Sequence, residues 1–458
     1  RVELMASFSL AELSHKVPSS YVIGAAVFSQ LSTDTRSMAA GDLFVALVGP
    51  NFDGHEFIAQ AQSQGACAAL VSTEIDTDLP QLVVPDTRIA LGQLAVIKRQ
   101  SLNGQFVAVT GSSGKTTVKE MLQKVLFQAG QVEVTHGNFN NDIGVPLTLW
   151  GMQDDIDYRV LELGANHIGE IAYTSRMVMA DVAILNNAQE AHLSGFGSLD
   201  GVVKAKGEII SELSDQGQVV LNLDDRHIQQ WQALAKYRRV WSFSLTNEKA
   251  SVYASGIQRT PQGSRFILHL GQQQRQVDLQ LLGQHNVANA LASAAAALAL
   301  GLSLDQIAIG LGQVRPYQGR LVSHQLSHNR CVIDDTYNAN PGSVKAAIAV
   351  LQECHGQRCF MLGDLGELGQ QELQLHQRIG AHVAAAGIEQ FYGFGPLAAA
   401  AVESYLQKGG NFGKVCVNKE DLSSCFQQLP KVGLSCLVKG SRSSQMDQVV
   451  EKLINGGI

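Results

Sequence analysis

The run Phe106-Val107-Ala108-Val109-Thr110-Gly111-Ser112-Ser113-Gly114-Lys115-Thr116-Thr117 constrains this chain more than any other stretch. A β-branched apolar run passes into a loop of small residues, and a helical pattern of Val118, Met121, Leu122, Val125 and Leu126 follows at once, closed by Gly130. Strand, glycine loop and helix N-terminus together form an anion site, because successive backbone N–H groups and the helix dipole point at one place. Gly111, Ser112, Ser113, Gly114 and Thr117 are then expected around the phosphates. Lys115 would reach the β/γ-phosphates, and the Thr116 hydroxyl would ligate Mg²⁺. The general phosphate loop has Gly five residues before its Gly-Lys pair, where this chain has Val109. The sequence predicts a nucleoside-triphosphate site built on a shortened loop.

A length of 458 residues exceeds a single core and suggests two to four domains. The expected division is 1–85, 86–315 and 316–458. The first part alternates short elements with polar loops, Ser32-Thr33-Asp34-Thr35-Arg36 and Asn51-Phe52-Asp53-Gly54-His55, and Phe44–Val48 reads as a buried strand between them. Ser32, Thr35 and Arg36 suit either a phosphate or ribose contact or a turn with a solvated charge. From 86 to 315 the pattern is βα repeated, which predicts a mostly parallel sheet with helices on both faces.

Within that middle part, Gly137–Pro146 is too rich in Asn and Gly to be core. The strand Tyr158–Glu162 ends in a carboxylate where α/β sheets place ligands, which makes Glu162 a candidate Mg²⁺ ligand. The strand Val182–Asn187 ends similarly, with His192 in the loop beyond; a lone His is usually structural. Lys204 and Lys206 are by default solvated helix lysines. Asn286 and Asn289, three residues apart on one helix face, suit an adenine edge, although Asn286 also reads as a cap. Ala288–Leu300 is Ala-rich and too short for a bilayer, and is expected as a helix buried between domains. From 316 a second βα series places strands at Cys331–Asp335, Arg358–Asp364 and Leu434–Arg442. No G-x-G-x-x-G loop accompanies them.

A net charge of −7 without a basic run argues against nucleic acid as a partner. Seven cysteines without a C-x-x-C pair predict reduced thiols of a cytosolic protein. Met5 reads as a start, and no signal peptide or membrane insertion is expected.

Taken in order, these pieces resemble the Mur ligases, ATP-dependent amide-forming enzymes of peptidoglycan precursor synthesis. The loop Thr110–Thr117 is similar to the family's shortened phosphate loop, which accounts for Val109. Glu162 in Glu-Leu-Gly-Ala-Asn-His, His192, Lys206, Asn286, Asn289, Arg320 in Gly-Arg-Leu, and Asp335 match its ordered landmarks. Gly137–Pro146, Glu162–His167, Asp334–Pro341 and Lys439–Arg442 resemble the branch that adds D-alanyl-D-alanine to UDP-N-acetylmuramoyl-tripeptide. The Asp-Asn-Pro-Arg motif of the diaminopimelate-adding branch is absent.

The resemblance implies three α/β domains: an N-terminal UDP-substrate domain, a central parallel-sheet ATPase domain with the phosphate loop, and a C-terminal Rossmann-like domain. It implies ATP and Mg²⁺ as cofactors, a monomer, and a cytoplasmic location. It carries over Thr116, Glu162 and His192 as metal ligands, and Asn286, Asn289, Arg320 and Asp335 as ATP contacts. Ser32, Asp34, Thr35 and Arg36 fall to the UDP moiety, and Tyr337, Asn338, Lys439 and Arg442 to the rest of the substrates. Asn138 and Asn141 join Lys115, Lys206 and His192 beside the reacting groups. Ala-Lys-Gly-Glu-Ile further implies that Lys206, not Lys204, is carbamylated. Its rivals are another amide ligase of the family, adding diaminopimelate or lysine, and a nucleotide-driven binding protein that ligates nothing.

Overall fold

A computed structural model describes residues 7–456, so the start at Met5 lies outside the described residues. Three principal sheets follow one another along the chain. A five-stranded sheet runs Tyr21–Ile23, Gln81–Val83, Ala68–Val71, Leu43–Val45, Leu31–Ser32. Phe44–Val48 is not one strand, as the apolar run suggested. Leu47 N–H turns back on the Val45 carbonyl at 3.0 Å, and Val48 starts an exposed two-stranded hairpin with Phe52–Asp53.

The nine-stranded middle sheet places Gln105–Thr110 between Tyr158–Glu162 and Val182–Leu185. After that strand the chain goes to the edge at Val132–Val134, returns to Tyr158–Glu162 beside it, and then crosses to Val182–Leu185 on the other side, which makes its C-terminal end a topological switch point, the place where open α/β sheets bind ligands. The pairing is parallel from Val132–Val134 to Val252–Thr260, and two antiparallel strands, Gly263–Leu270 and Gln273–Leu279, complete the edge. Register sets Val109 opposite Glu162 and Thr110 opposite Leu185, so loop and carboxylate emerge side by side.

The helix Lys115–Leu126 follows the loop because its apolar residues fall on one face; Val118, Met121, Leu122, Val125 and Leu126 are fully buried. They pack against the Ala-rich helix Gln284–Ala299. That helix is buried within the middle unit's own core with Phe243 and Val252, not between domains as expected. Its alanines, small enough to let a helix lie close against its neighbours, fit an intradomain seam.

The six-stranded sheet runs Val322–Leu326, Arg330–Asp335, Leu434–Lys439, Gln357–Gly363, Gln390–Phe394, Phe412–Cys416, with only the first strand antiparallel. The last strand in sequence inserts between two earlier ones, a second switch point, with Asp335 paired to Lys439. One apolar core continues from Leu193 and Phe196 of the middle unit to Ile348, Leu365 and Leu368 of the C-terminal unit. The two units are packed together, and their switch points share one cleft.

Candidate active site

A cavity of about 1120 Å³ lies there, lined on the middle side by Ser112–Thr117, Asn138, Asn141, Glu162, His192, Asn286 and Asn289. Arg320, Asp335, Tyr337, Asn338, Lys439 and Arg442 line the opposite wall. Residues 200 or more apart in sequence therefore meet in one cavity.

The phosphate loop is braced from behind. Ser112 N–H donates to the Asn187 carbonyl at 3.1 Å, and Ser113 N–H to Asn187 Oδ1 at 3.0 Å. Asn186 Nδ2 donates to the Ser113 carbonyl at 3.0 Å and to Asn289 Oδ1 at 2.9 Å, while Asn289 Nδ2 donates to Asn286 Oδ1 at 3.1 Å. The two helix amides expected at adenine thus line the cavity but spend hydrogen bonds on a relay into the loop. Gly114 must be glycine: its φ is +82°, and a Cβ would lie 2.4 Å from Asn289 Oδ1. The amides still free to cradle an anion belong to Gly114–Thr117, at the helix N-terminus. Gly111 sits buried behind the loop, where its carbonyl accepts from Lys115 Nζ at 2.9 Å.

Thr116 Oγ1 donates to Glu162 Oε2 at 2.8 Å and accepts from Arg320 Nη2 at 3.0 Å, a bond that crosses from the C-terminal unit. Asn140 Nδ2 donates to Glu162 Oε1 at 2.9 Å. Asn140 is thus the Asn-rich loop's link to the carboxylate, whereas Asn141 Oδ1 accepts the N–H of Gly144 at 2.7 Å at the start of the next helix. Arg320 Nε is buried without a hydrogen-bond partner among the described residues. Burial and the nearby Arg320 push the Lys115 ammonium below its ordinary pKa, with Glu162 opposing. An orphaned donor and a destabilised ammonium side by side suit an anionic occupant such as a triphosphate. For Mg²⁺ the donor chemistry also fits: a hydroxyl and a carboxylate, with few other acidic groups, because this ion keeps waters and takes phosphate oxygens. No cluster of three His, Cys, Asp or Glu suited to a metal occurs among the described residues.

His192 takes a left-handed backbone, φ 53°, and its Nδ1 stands 2.5 Å from Glu367 Oε2 of the C-terminal unit. Lys206 is not in the lining but in the wall behind it, 1 % exposed, with Nζ 5.3 Å from the Phe196 ring centre. Burial first, then the charge of Lys115, pushes its pKa down to about 7. Lys204 is exposed on the same helix.

On the far wall, Lys439 Nζ lies 2.5 Å from Asp335 Oδ2 and 3.0 Å from the Asn338 carbonyl, so these residues knit the strand ends together. Tyr337 is flanked by the guanidiniums of Arg320 at 4.3 Å and Arg442 at 6.0 Å. Asn340 Nδ2 donates to Ser113 Oγ at 3.0 Å, a second tie from this unit to the phosphate loop. Ser32, Asp34, Thr35 and Arg36 are not brought to the cavity. Ser32 Oγ donates to the Asp34 carbonyl at 3.1 Å and Arg36 Nη2 to Asp34 Oδ2 at 2.6 Å, forming a self-bonded turn with Thr35 buried. Arg36 holds the Asp34 carboxyl down at about 2.

Asn140, Asn186, Asn187, Asn340 and Glu367 escaped residue-level selection. The first four left a signal, being amides in polar loops after strands; Glu367 left none.

Known proteins match along nearly the whole length. Residues 27–99 match the model of the Mur ligase family catalytic domain, 109–297 the Mur ligase middle domain, and 319–442 the Mur ligase glutamate ligase domain. The UDP-N-acetylmuramoyl-tripeptide--D-alanyl-D-alanine ligase of Escherichia coli K12 is 43% identical over 93% of this chain and 94% of its own. A crystal structure of MurF from Acinetobacter baumannii superposes with a TM-score of 0.92 at 37% identity, covering 98% of this chain and 99% of that one. The MurF ligase of Thermotoga maritima in complex with ADP gives 0.85 at 26% identity, over 93% and 97%. With three domain models in order and such identity across nearly all of its length, the chain belongs to the Mur ligase family.

Proposed function

We propose that this chain is the ATP-dependent ligase that joins D-alanyl-D-alanine to UDP-N-acetylmuramoyl-tripeptide, forming the pentapeptide precursor of peptidoglycan. The observation that carries the reading is the bond from Arg320 to Thr116, which brings a cation of the C-terminal unit to the phosphate loop, as a ligase whose site spans two units would require. The E. coli relative's name supplies the substrates. The tripeptide carboxylate attacks the γ-phosphorus of ATP, and ADP leaves. The amine of D-alanyl-D-alanine then adds to the acyl phosphate carbon, and the tetrahedral intermediate expels inorganic phosphate.

The protein's task is positioning and charge neutralisation, since phosphate and carboxylate repel. Lys115 and the Gly114–Thr117 amides hold the β/γ-phosphates, and Arg320 reaches the same oxygens. Thr116 and Glu162 would hold Mg²⁺, with His192 at a second ion. Mg²⁺, when bound, screens phosphate charge so that the carboxylate can approach. Asn138 and Asn141 stand beside the acceptor, and Asn286 and Asn289 on the adenine side. Asp335 orients Lys439, and Tyr337, Asn338 and Arg442 form the wall toward the peptides. Ser32, Asp34, Thr35 and Arg36 would meet the UDP end, which lies far from the reacting carboxylate. Packing of the two units excludes water from the acyl phosphate.

The same reading divides the chain near 85 and 315, supported by sheets confined to 21–83, 105–279 and 322–439. It places a monomer in the cytoplasm, where ATP is available, without a nucleic-acid partner. No helix among the described residues is long and apolar enough to cross a membrane. Phosphate release should require both D-alanyl-D-alanine and the UDP-muramyl tripeptide. Release with ATP alone at the same rate would favour a nucleotide-driven binding protein, and release with a free amino acid instead of the dipeptide would favour another amide ligase.

A further inference from the structure

Glu367 lies on the loop after the strand Gln357–Gly363, and that loop is held rigidly. Leu365 N–H donates to His376 Nε2 at 3.1 Å, the Asp364 carbonyl accepts from Ser441 Oγ at 2.6 Å, and Leu365 and Leu368 are 1 % exposed. Glu367 itself has φ 62°, a left-handed conformation that is uncommon for a side-chain-bearing residue. Across the cleft His192 also takes the left-handed region, with φ 53°. These two strained residues face each other, and strain that the surroundings enforce concentrates at functional sites. The contact has two arms: Glu367 Oε2 is 2.5 Å from His192 Nδ1, and the Glu367 carbonyl accepts from Ser194 N–H at 3.2 Å. Gly369, φ +64°, lets the loop approach; a Cβ there would come 3.3 Å from Ser194 Cα. His192 Nδ1 is buried, its contact with Glu367 Oε2 is close but not aligned as a hydrogen bond, and no other polar group among the described residues partners it.

A carboxylate at one ring nitrogen fixes the tautomer and aim of an imidazole and leaves the other nitrogen unprotonated as a ligand. We infer that Glu367 is a positioning residue for His192: the C-terminal unit delivers the carboxylate that sets the Nδ1–H tautomer and turns Nε2 into the cavity as a metal ligand. The inference rests on the proposed role of His192. It ties metal-site readiness to domain packing, because ligand and orienting group sit on different units.

The test uses the full chain and Mn²⁺ as probe, with binding read by electron paramagnetic resonance in the presence of ADP. Glu367→Ala should weaken Mn²⁺ binding about 10- to 100-fold, the range for loss of a group that orients a metal ligand. Glu367→Gln, which keeps an acceptor oxygen beside Nδ1, should recover most of it and guards against misfolding. Nitrogen-15 histidine spectra of metal-free protein should show His192 as the Nδ1–H tautomer in the parent and as a mixture in Glu367→Ala. Arg378→Ala removes a neighbouring ion pair across the same interface, to Glu190 at 3.1 Å, without touching His192, and should leave Mn²⁺ affinity unchanged. Mn²⁺ affinity within twofold of the parent in Glu367→Ala, an unchanged His192 tautomer, or an equal loss in Arg378→Ala would overturn the proposal. His192→Ala separates the two levels: unchanged Mn²⁺ binding there would remove His192 as a ligand altogether, whereas a loss there alone would remove only the role of Glu367.

Discussion

Lys206 offers the sharpest perturbation. Its ammonium would sit in the wall of a cavity already holding Lys115, and burial with that neighbour lowers its pKa from 10.5 to about 7. That difference disfavours the charged form by about 5 kcal/mol. At pH 7.4 the neutral amine is then on the order of a thousandfold more abundant than for an ordinary lysine. A neutral buried amine adds to CO₂, losing a proton and becoming a carbamate anion, an oxygen donor of the kind Mg²⁺ takes. Carbon-13 spectra under labelled CO₂ should show one protected carbamate in the parent and none in Lys206→Ala, with Lys204→Ala unaffected. Lys206→Ala should lose about 10²-fold or more in turnover, as for other groups that orient a metal site, and acetate should restore part of it. In CO₂-free buffer the sign of the stability effect is fixed. The folded state binds this proton less tightly than the unfolded state, so stability rises with pH between about 7 and 10.5. Lys206→Met should abolish that slope and be the more stable protein at pH 6. Full activity in Lys206→Ala, or equal pH slopes in parent and Lys206→Met, would refute the reasoning.

Three further outcomes follow from the cleft. Lys115→Ala should cut turnover about 10²- to 10³-fold with little change in melting temperature, since this largely buried side chain turns its ammonium to the cavity and fills no apolar core; near-normal turnover in the folded variant would remove the loop assignment. Arg320→Ala should weaken ATP binding and turnover together, because it frees Thr116 and removes a cation; a turnover defect with ATP affinity intact, read by calorimetry with a non-hydrolysable analogue, would contradict this. Gly114→Ala should destabilise by about 1–3 kcal/mol and lose ATP binding, because φ +82° is strained with a side chain and the new Cβ meets Asn289; denaturant titration checks the first and the analogue the second.

How much of this was legible in the residues depended on where the information was local. The strand, loop and helix at 105–126 are specified within one window, by β-branched residues, small residues and a 3.6-residue period, and form as read. Glu162 was placed by the rule that strand ends face ligands, and register then set it beside the loop. Burial of Lys206 against exposure of Lys204 is the kind of fact two helix positions decide, yet Val202, Val203 and Ile209 flank both and made either lysine plausible. Glu367 was invisible because nothing in Gly-Asp-Leu-Gly-Glu-Leu-Gly tells that its left-handed backbone meets His192, 175 positions earlier. The Ala-rich helix failed for another reason: composition reports that a helix is buried, not which neighbour buries it.

The shortened loop itself explains why the site needs two domains. Val109, where the general loop would begin, is still paired on both sides, to Glu162 and Ile184, and is fully buried. The turn therefore starts late, and its first amides, on Ser112 and Ser113, are consumed by Asn187. The free amides fall to the helix N-terminus, and Lys115, the middle unit's cation there, is weakened by its own burial. Such a cradle is under-charged for a triphosphate. In the proposed site Arg320 would supply the missing cation, but it arrives on another unit and lands on the very hydroxyl that Glu162 also holds. Asn340 arrives with it, at the loop's second serine. On the proposed function, a nucleotide bound to the middle unit alone would thus meet an incomplete field, and the full field would exist only when the C-terminal unit, carrying Tyr337, Asn338 and Arg442, is already packed in place.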